Sequence, residues 1–280
     1  MTFKYGFIGL GQMGAPMAAH LAGRGLIVYD VRPEAMAELA AKGARTAARV
    51  ADVASASVIS VMVRDDAQVG QVADELLSAA APGTVVAVHS TIHADTATAL
   101  AERARPHGVE IVDAPVSGGF MGAAEGTLAV MVGGTETAFA RVQEVFGAWA
   151  DLVLHVGPVG AGTRTKLARN LLHFAAFSAA AEAQRLAEAA GVPLSMLGRV
   201  VRHSDAVTGG PGAIMIRRTT APLEPDDPLH EIMRGVLALG EKDLSLAIAL
   251  ADELGVEVPL ARLAYERLAA DLGVAEEAPS

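Results

Sequence analysis

Near the start of the chain, Tyr5-Gly6-Phe7-Ile8 runs straight into Gly9-Leu10-Gly11-Gln12-Met13-Gly14. A short apolar run with glycines at 9, 11 and 14 behind it constrains the fold more than any other stretch. It predicts a strand that turns sharply into a helix. Gly9 lets the chain leave the strand abruptly, Gly11 keeps the space before the turn clear, and Gly14 lets the helix pack closely on the sheet. The first N–H groups of such a helix have no partner within it, and the macrodipole adds partial positive charge, so the turn is a seat for a phosphate. A second apolar run, Leu26-Ile27-Val28-Tyr29, ends on Asp30. An acid about 20 residues past the first glycine is where a ribose diol is held. A tight turn and a solvated aspartate are the plainer reading; the combination points to a bound dinucleotide.

The same rhythm continues to about residue 155. Apolar runs at Tyr5–Ile8, Leu26–Tyr29, Val58–Val63, Val85–Val88, Val109–Val112, Leu128–Val132 and Leu152–Val156 alternate with helical spacing, as at Ala67–Ala79 and Thr96–Arg105. Short strands buried on both faces and separated by helices imply an α/β fold with a doubly wound, mostly parallel sheet of the Rossmann type. Ligands of such sheets bind beyond the carboxyl ends of the strands. Gly157-Pro158-Val159-Gly160-Ala161-Gly162 breaks the pattern, and Thr163–Ala190 then shows helical spacing without Gly or Pro until Gly191-Val192-Pro193 stops it. Helical stretches follow at Ser195–Val201, Leu229–Gly255 and Leu260–Leu272, divided by Gly209-Gly210-Pro211-Gly212 and by the loop Pro222–Pro228. The expected organisation is a dinucleotide-binding domain over 1–160 and an all-helical substrate and oligomerisation domain over 161–280, joined by a long helix at about 163–190. The polar tail Ala275–Ser280 reads as frayed.

Composition excludes several classes. A net charge of −10 and the lack of a basic block disfavour a nucleic-acid partner. With no cysteine there is no disulfide, thiolate catalyst or cysteine metal site, which suits a reducing cytoplasm. The first strand begins without a signal-like region, and the alanine-rich run Leu171–Ala181 is too short to span a bilayer, so no membrane partner is expected. The histidines and carboxylates show no metal-binding spacing, and neither a GxSxG elbow nor a Walker lysine is present.

Lys166 is the candidate catalyst, one turn into the long helix just after the glycine-rich break. Asn170, four residues on, shares its face. Oxidising an alcohol needs a base for the hydroxyl proton, and reduction needs an acid to return it; a lysine serves when burial or a nearby cation lowers its pKa. A solvated helix lysine fits the same position. Asp113-Ala114-Pro115-Val116-Ser117-Gly118-Gly119 begins at a strand's carboxyl end, and Ser117 with the N–H groups of Gly118 and Gly119 suits a carboxylate, or simply a turn. Ser90-Thr91 holds a similar rim position and also suits a helix N-cap.

The whole chain resembles the β-hydroxyacid dehydrogenase family, whose best-known member is 3-hydroxyisobutyrate dehydrogenase. The matching motifs are residues 9–18, residues 113–119, Gly160-Ala161-Gly162 through Lys166 to Asn170, and Lys242-Asp243-Leu244-Ser245-Leu246-Ala247. The resemblance implies an NAD(P)-dependent oxidoreductase acting on a small, carboxylate-bearing 3-hydroxy acid or the matching semialdehyde. Lys166 would be the acid/base and Asn170 its substrate-orienting partner. Ser117, Gly118 and Gly119 would grip the substrate carboxylate. Gly9, Leu10, Gly11, Gln12, Met13, Gly14 and Asp30 would hold the cofactor with Thr91 and Lys242, while Asp243 would be structural at a helix start. Asp30 favours NAD over NADP, although Arg24 and Arg32 lie near enough in sequence to accommodate a 2′-phosphate. A homodimer or homotetramer is expected, from the resemblance and from an alanine- and leucine-rich helical half.

Four departures bear on the substrate and cofactor. Ala22–Leu26 is a shortened link, Arg64 replaces a usual proline, and Arg169 replaces a neutral polar residue. A wall usually rich in serine is here His203-Ser204-Asp205-Ala206-Val207-Thr208-Gly209-Gly210. The alternatives are an imine reductase, whose kind usually lacks the lysine, and a non-catalytic nucleotide-sensing module.

Overall fold

The structure is a computed structural model and describes residues 3–275; of the tail expected to fray, residues 276–280 lie outside the described residues. Strand β1 (Phe3–Ile8) leads through the glycine turn into α1 (Gly14–Ala19), followed by β2 (Leu26–Tyr29), α2 (Glu34–Ala41), β3 (Arg45–Thr46) and α3 (Val50–Val53). Next come β4 (Ala56–Val61), α4 (Asp66–Leu77), β5 (Val85–Val88), α5 (Ala94–Ala104) and β6 (Glu110–Asp113). Then β7 (Val116–Ser117), α6 (Gly119–Glu125), β8 (Leu128–Gly133), α7 (Glu136–Phe146) and β9 (Ala150–Gly157) complete the sheet region. Among the described residues four α-helices follow: α8 (Ala161–Ala189), α9 (Leu194–Thr208), α10 (Pro228–Leu254) and α11 (Pro259–Leu272).

The strands form one sheet in the order β3-β2-β1-β4-β5-β6-β8-β7, with β9 beside β8. The path from β3 to β6 is parallel throughout; β8 runs antiparallel to β6 and β7 and parallel to β9. The chain order reverses direction between β1 and β4, which places a crevice at their carboxyl ends. The two-residue strands β3 and β7 were not legible as apolar runs, because Arg45 and Thr46 are exposed and β7 is held by its pairing with Ala129 and Val130.

Successive side chains of a strand point to opposite faces, so a strand covered by helices on both sides is apolar throughout. Phe7 packs with Met17, Leu128, Phe146 and Trp149, whereas its neighbour Ile8 packs with Ile59, Leu76 and Leu100 on the opposite face. Several helices start where the sequence supplies an acceptor. The Asp65 carboxylate accepts the Gln68 N–H, Thr135 Oγ1 the Ala138 N–H, and Asp227 the Leu229 N–H ahead of Pro228.

His89, at the end of β5, is wholly buried beside Phe7, Phe146 and Trp149. Its Nδ1 donates to the Ala114 carbonyl at 2.7 Å, so its Nε2 accepts from the Ser60 hydroxyl at 3.0 Å, and the ring is neutral. Burial pushes its pKa down from 6.5 to about 4, against the pull of the Ala114 carbonyl. The unfolded chain therefore binds a proton between pH 6.5 and 4 that the folded chain refuses. Stability falls as the pH drops through that window, by about 3 kcal/mol in all. His89→Gln can keep both hydrogen bonds but has no proton to bind. Urea unfolding at pH 7 and pH 4.5 should show a markedly smaller acid loss in the variant; equal losses would remove His89 as the cause.

Tertiary contacts divide the chain within α8 into two compact units, one ending at Asn170 and the other beginning at Leu171. The helical unit has its own small core of Met233, Leu272 and Val274, packed by Leu223, Leu237 and Leu268. Helix α9 reaches Thr208, well beyond the expected Val201, and contains no buried residue.

Candidate active site

The glycine turn has the geometry its sequence implies. Gly9 adopts a φ of +90° and donates its N–H to the Tyr29 carbonyl at 2.9 Å; a side chain there would strike the Met62 carbonyl. A side chain at Gly14 would strike the Gly9 carbonyl, whereas a Cβ at Gly11 would meet nothing within 4 Å. The Gly11 carbonyl accepts the first helical bond, from the Ala15 N–H at 3.0 Å. The N–H groups of Gln12, Met13 and Gly14 thus precede the intrahelical ladder, as in an anion seat.

A cleft of about 760 Å³ opens here, lined by Gly9, Gly11, Gln12, Met13, Gly14 and Asp30. Leu10 behaves differently: its side chain is in the core, and its N–H donates to Asp30 Oδ2 at 2.7 Å. Asp30 Oδ1 accepts the Arg32 N–H at 2.9 Å and Arg32 Nε at 3.2 Å. Burial acts to raise the Asp30 pKa, but the Arg32 and Leu10 N–H donors and the guanidinium outweigh it and hold the carboxyl below its usual range. One acid therefore ties the end of β2 to the glycine turn. Open space at Gly11, unpaired N–H groups and an ionised acid at the far wall fit a dinucleotide.

Arg64 and the α4 residues Gln68 and Gln71 face the same cleft, and the Arg64 N–H donates to Gln68 Oε1 at 3.1 Å. Ser90 Oγ donates to the Val63 carbonyl at 2.7 Å and accepts the Val63 N–H at 3.0 Å, joining the loops after β4 and β5. The N-cap of α5 is His93, so Ser90-Thr91 does not cap that helix; Thr91 stands exposed beyond the end of β5.

After β6 and a short turn, Ser117 pairs opposite Ala129, and Gly118 and Gly119 carry φ values of +135° and +65°. Gly119 is the first residue of α6, and the Gly118 carbonyl accepts the Gly122 N–H at 3.2 Å. The Gly119 N–H therefore has no intrahelical acceptor.

The start of α8 is seated by a residue that the sequence reading did not single out. Asp113, fully buried at the end of β6, accepts the Gly160 N–H at 2.7 Å and the Thr163 N–H at 2.6 Å. Burial pushes its carboxyl pKa up, against the opposing pull of those donors. Three residues on, the half-buried Lys166 has its pKa pushed down, first by burial and then by the nearby Arg169 charge. Asn170 is on the same face of α8, and its Oδ1 accepts from Arg169 Nη1 at 3.3 Å. Arg169 thus bears on both sequence candidates of this helix, donating to Asn170 and repelling the Lys166 charge. The acid at 113 stands in the sequence motif, but nothing in its spacing links it to residues 160 and 163.

Lys242 and Asp243 lie in the middle of α10, not at a helix start, where Lys242 Nζ meets Asp243 Oδ1 at 3.0 Å. The stretch read as a substrate wall begins inside α9, whose last residue is Thr208. No helix among the described residues is long and apolar enough to cross a membrane.

Residues 4–157 match the family model for the NAD binding domain of 6-phosphogluconate dehydrogenase. Residues 160–277 match that for the NAD-binding region of NADP-dependent 3-hydroxyisobutyrate dehydrogenase. An uncharacterized oxidoreductase of Mycobacterium tuberculosis is 58% identical over 278 residues, covering 98% of this chain and 94% of its own. The crystal structure of an oxidoreductase from Mycobacterium avium 104 is 55% identical, with a TM-score of 0.94 over 98% of this chain and 100% of its own. The Mycobacterium tuberculosis 3-hydroxyisobutyrate dehydrogenase, solved with L-serine, is 33% identical, with a TM-score of 0.68 over 98% of this chain and 96% of its own. Built on NAD(P)-binding domains, this chain is an oxidoreductase and belongs to the β-hydroxyacid dehydrogenase family, the family of 3-hydroxyisobutyrate dehydrogenase.

Proposed function

We propose that the chain transfers a hydride between a nicotinamide dinucleotide and a short 3-hydroxy acid or the matching semialdehyde, with Lys166 as general acid/base. The observation that carries this reading is the half-buried amine of Lys166, its pKa lowered by burial and by Arg169, one turn from Asn170. Gln12, Met13 and Gly14 would hold the pyrophosphate and Asp30 the ribose, with Thr91 and Lys242 as further cofactor contacts. The dinucleotide, when bound, accepts or donates the hydride. In the oxidative direction the neutral amine of Lys166 takes the hydroxyl proton, and in the reductive direction its ammonium returns one; burial and the Arg169 charge favour the neutral form that the oxidative step needs. Asn170 orients the substrate hydroxyl.

The substrate carboxylate is assigned to Ser117, Gly118 and Gly119. A site whose N–H donors await an anion rejects an uncharged analogue, because those donors would be left desolvated and unpaired. L-Serine, present with the solved relative, is itself a short 3-hydroxy acid. The test is kcat/KM for a panel of short 3-hydroxy acids against their methyl esters or amides. The acids should be preferred by about 100-fold or more. Esters turned over as fast as acids would overturn the assignment of residues 117–119.

NAD(H) is expected to outperform NADP(H), since a 2′-phosphate would meet the ionised Asp30. The Arg32 guanidinium, held at Asp30 by its Nε, is placed to soften that repulsion. The comparison is kcat/KM with each cofactor, and parity or an NADP(H) preference would reverse the reading of Asp30.

A further inference from the structure

We propose that Asp113 is a positioning residue for Lys166: its carboxylate, reaching from the end of β6, sets the seat of the first turn of α8. The proposal rests on the reading of Lys166 as the acid/base. Helix α8 begins at Ala161, so Gly160 is its N-cap residue and Thr163 its third residue. A helix usually satisfies these two N–H groups with its own capping side chains. Here the N-cap is a glycine, and both donors go to one carboxylate, Oδ1 to Gly160 at 2.7 Å and Oδ2 to Thr163 at 2.6 Å, across 47 and 50 residues of chain.

The surroundings leave this seat no slack. A side chain at Gly162 would strike the Met131 and Asp113 carbonyl oxygens, and one at Gly133 would strike Asp113 Oδ1. Asp113 and Thr163 are both fully buried, so Asp113 is out of reach of a substrate and acts only through the helix it holds. Lys166 follows Thr163 by three residues, a rise of about 4.5 Å within the same rigid ladder. A shift of the helix start is therefore passed on to the lysine amine, and a displacement of about 1 Å in a catalytic group can cost about 100-fold in rate.

Two variants disturb the seat in different ways. Asp113→Asn keeps one acceptor but turns an NH2 group toward the second N–H. Gly162→Ala leaves the carboxylate charge intact and pushes the helix away from β8. Each should lower kcat by about 10- to 100-fold while leaving KM for the dinucleotide within about twofold, because the glycine turn is untouched. In Gly162→Ala, titration of the ¹³C-methylated Lys166 amine by NMR, assigned by its absence from Lys166→Arg, should move up toward the ordinary value of 10.5. Variants that lose thermal stability but keep wild-type kcat and amine titration would show that Asp113 serves folding alone. Lys166→Ala run in parallel separates the two claims. If it retains turnover, the acid/base reading fails, and the amine titration still decides on Asp113.

Discussion

Replacing Lys166 by alanine should leave a folded protein that binds the dinucleotide but turns over about 10²–10⁴-fold more slowly, the usual contribution of a positioned acid/base. Lys166 is only half-buried and has no hydrogen-bond role in the core, so its truncation leaves no unpaired buried group. Removing Asn170 should also slow turnover, and the double variant should be less impaired than the product of the single losses if the pair acts as a unit. The wild-type rate of alcohol oxidation should rise with pH along a limb centred below 10.5, since burial and Arg169 both favour the neutral amine. That limb should vanish in Lys166→Ala. Turnover within a few-fold of wild type, or an unchanged limb, would remove Lys166 from the mechanism.

The protein should have at least twice the 28.6 kDa mass of one chain in solution. The helical unit buries few apolar side chains in its own core. On α8 Leu171, Phe174 and Phe177 are exposed, as are Val200 and Val207 on α9 and Leu246 on α10. Apolar surface on this scale is what an interface between chains would cover. A charge introduced at an exposed position of a monomer costs within about 0.5 kcal/mol, whereas one buried in an interface costs several. Leu171→Glu, at a position 75% exposed in the single chain, distinguishes the two. It should dissociate the assembly and lower Tm by several degrees. Light scattering that gives a single-chain mass for the wild type at micromolar concentration would overturn the expectation.

Much of the sheet region could be read in advance because its information is local. Strands buried on both faces are apolar throughout, helices between them repeat near every third or fourth residue, and Gly14 answers a clash with the Gly9 carbonyl five residues back, whereas the close approach at Gly9 comes from Met62 just past β4. The long helix was equally plain, since nothing between 163 and 189 interrupts it. The extension of α9 from Val201 to Thr208 was not legible: Ser204 and Asp205 are weak helix formers, but Ser204 Oγ bonds back to the Val201 carbonyl and stays within the helix.

The roles of individual polar groups were another matter. In sequence, Leu10 is one more member of a motif, yet its N–H is already committed to Asp30, 20 residues away. Ser90 was a candidate cap, and its hydroxyl instead closes on Val63, 27 residues earlier. Asp113 was a motif residue without a task until the fold set its two oxygens against Gly160 and Thr163. The local pattern of apolar residues and glycines sufficed for the architecture, because periodicity and turn sterics act over a few residues. Which carboxylate caps which helix depends on distances under 3 Å between segments tens of residues apart, and only the packed chain establishes those.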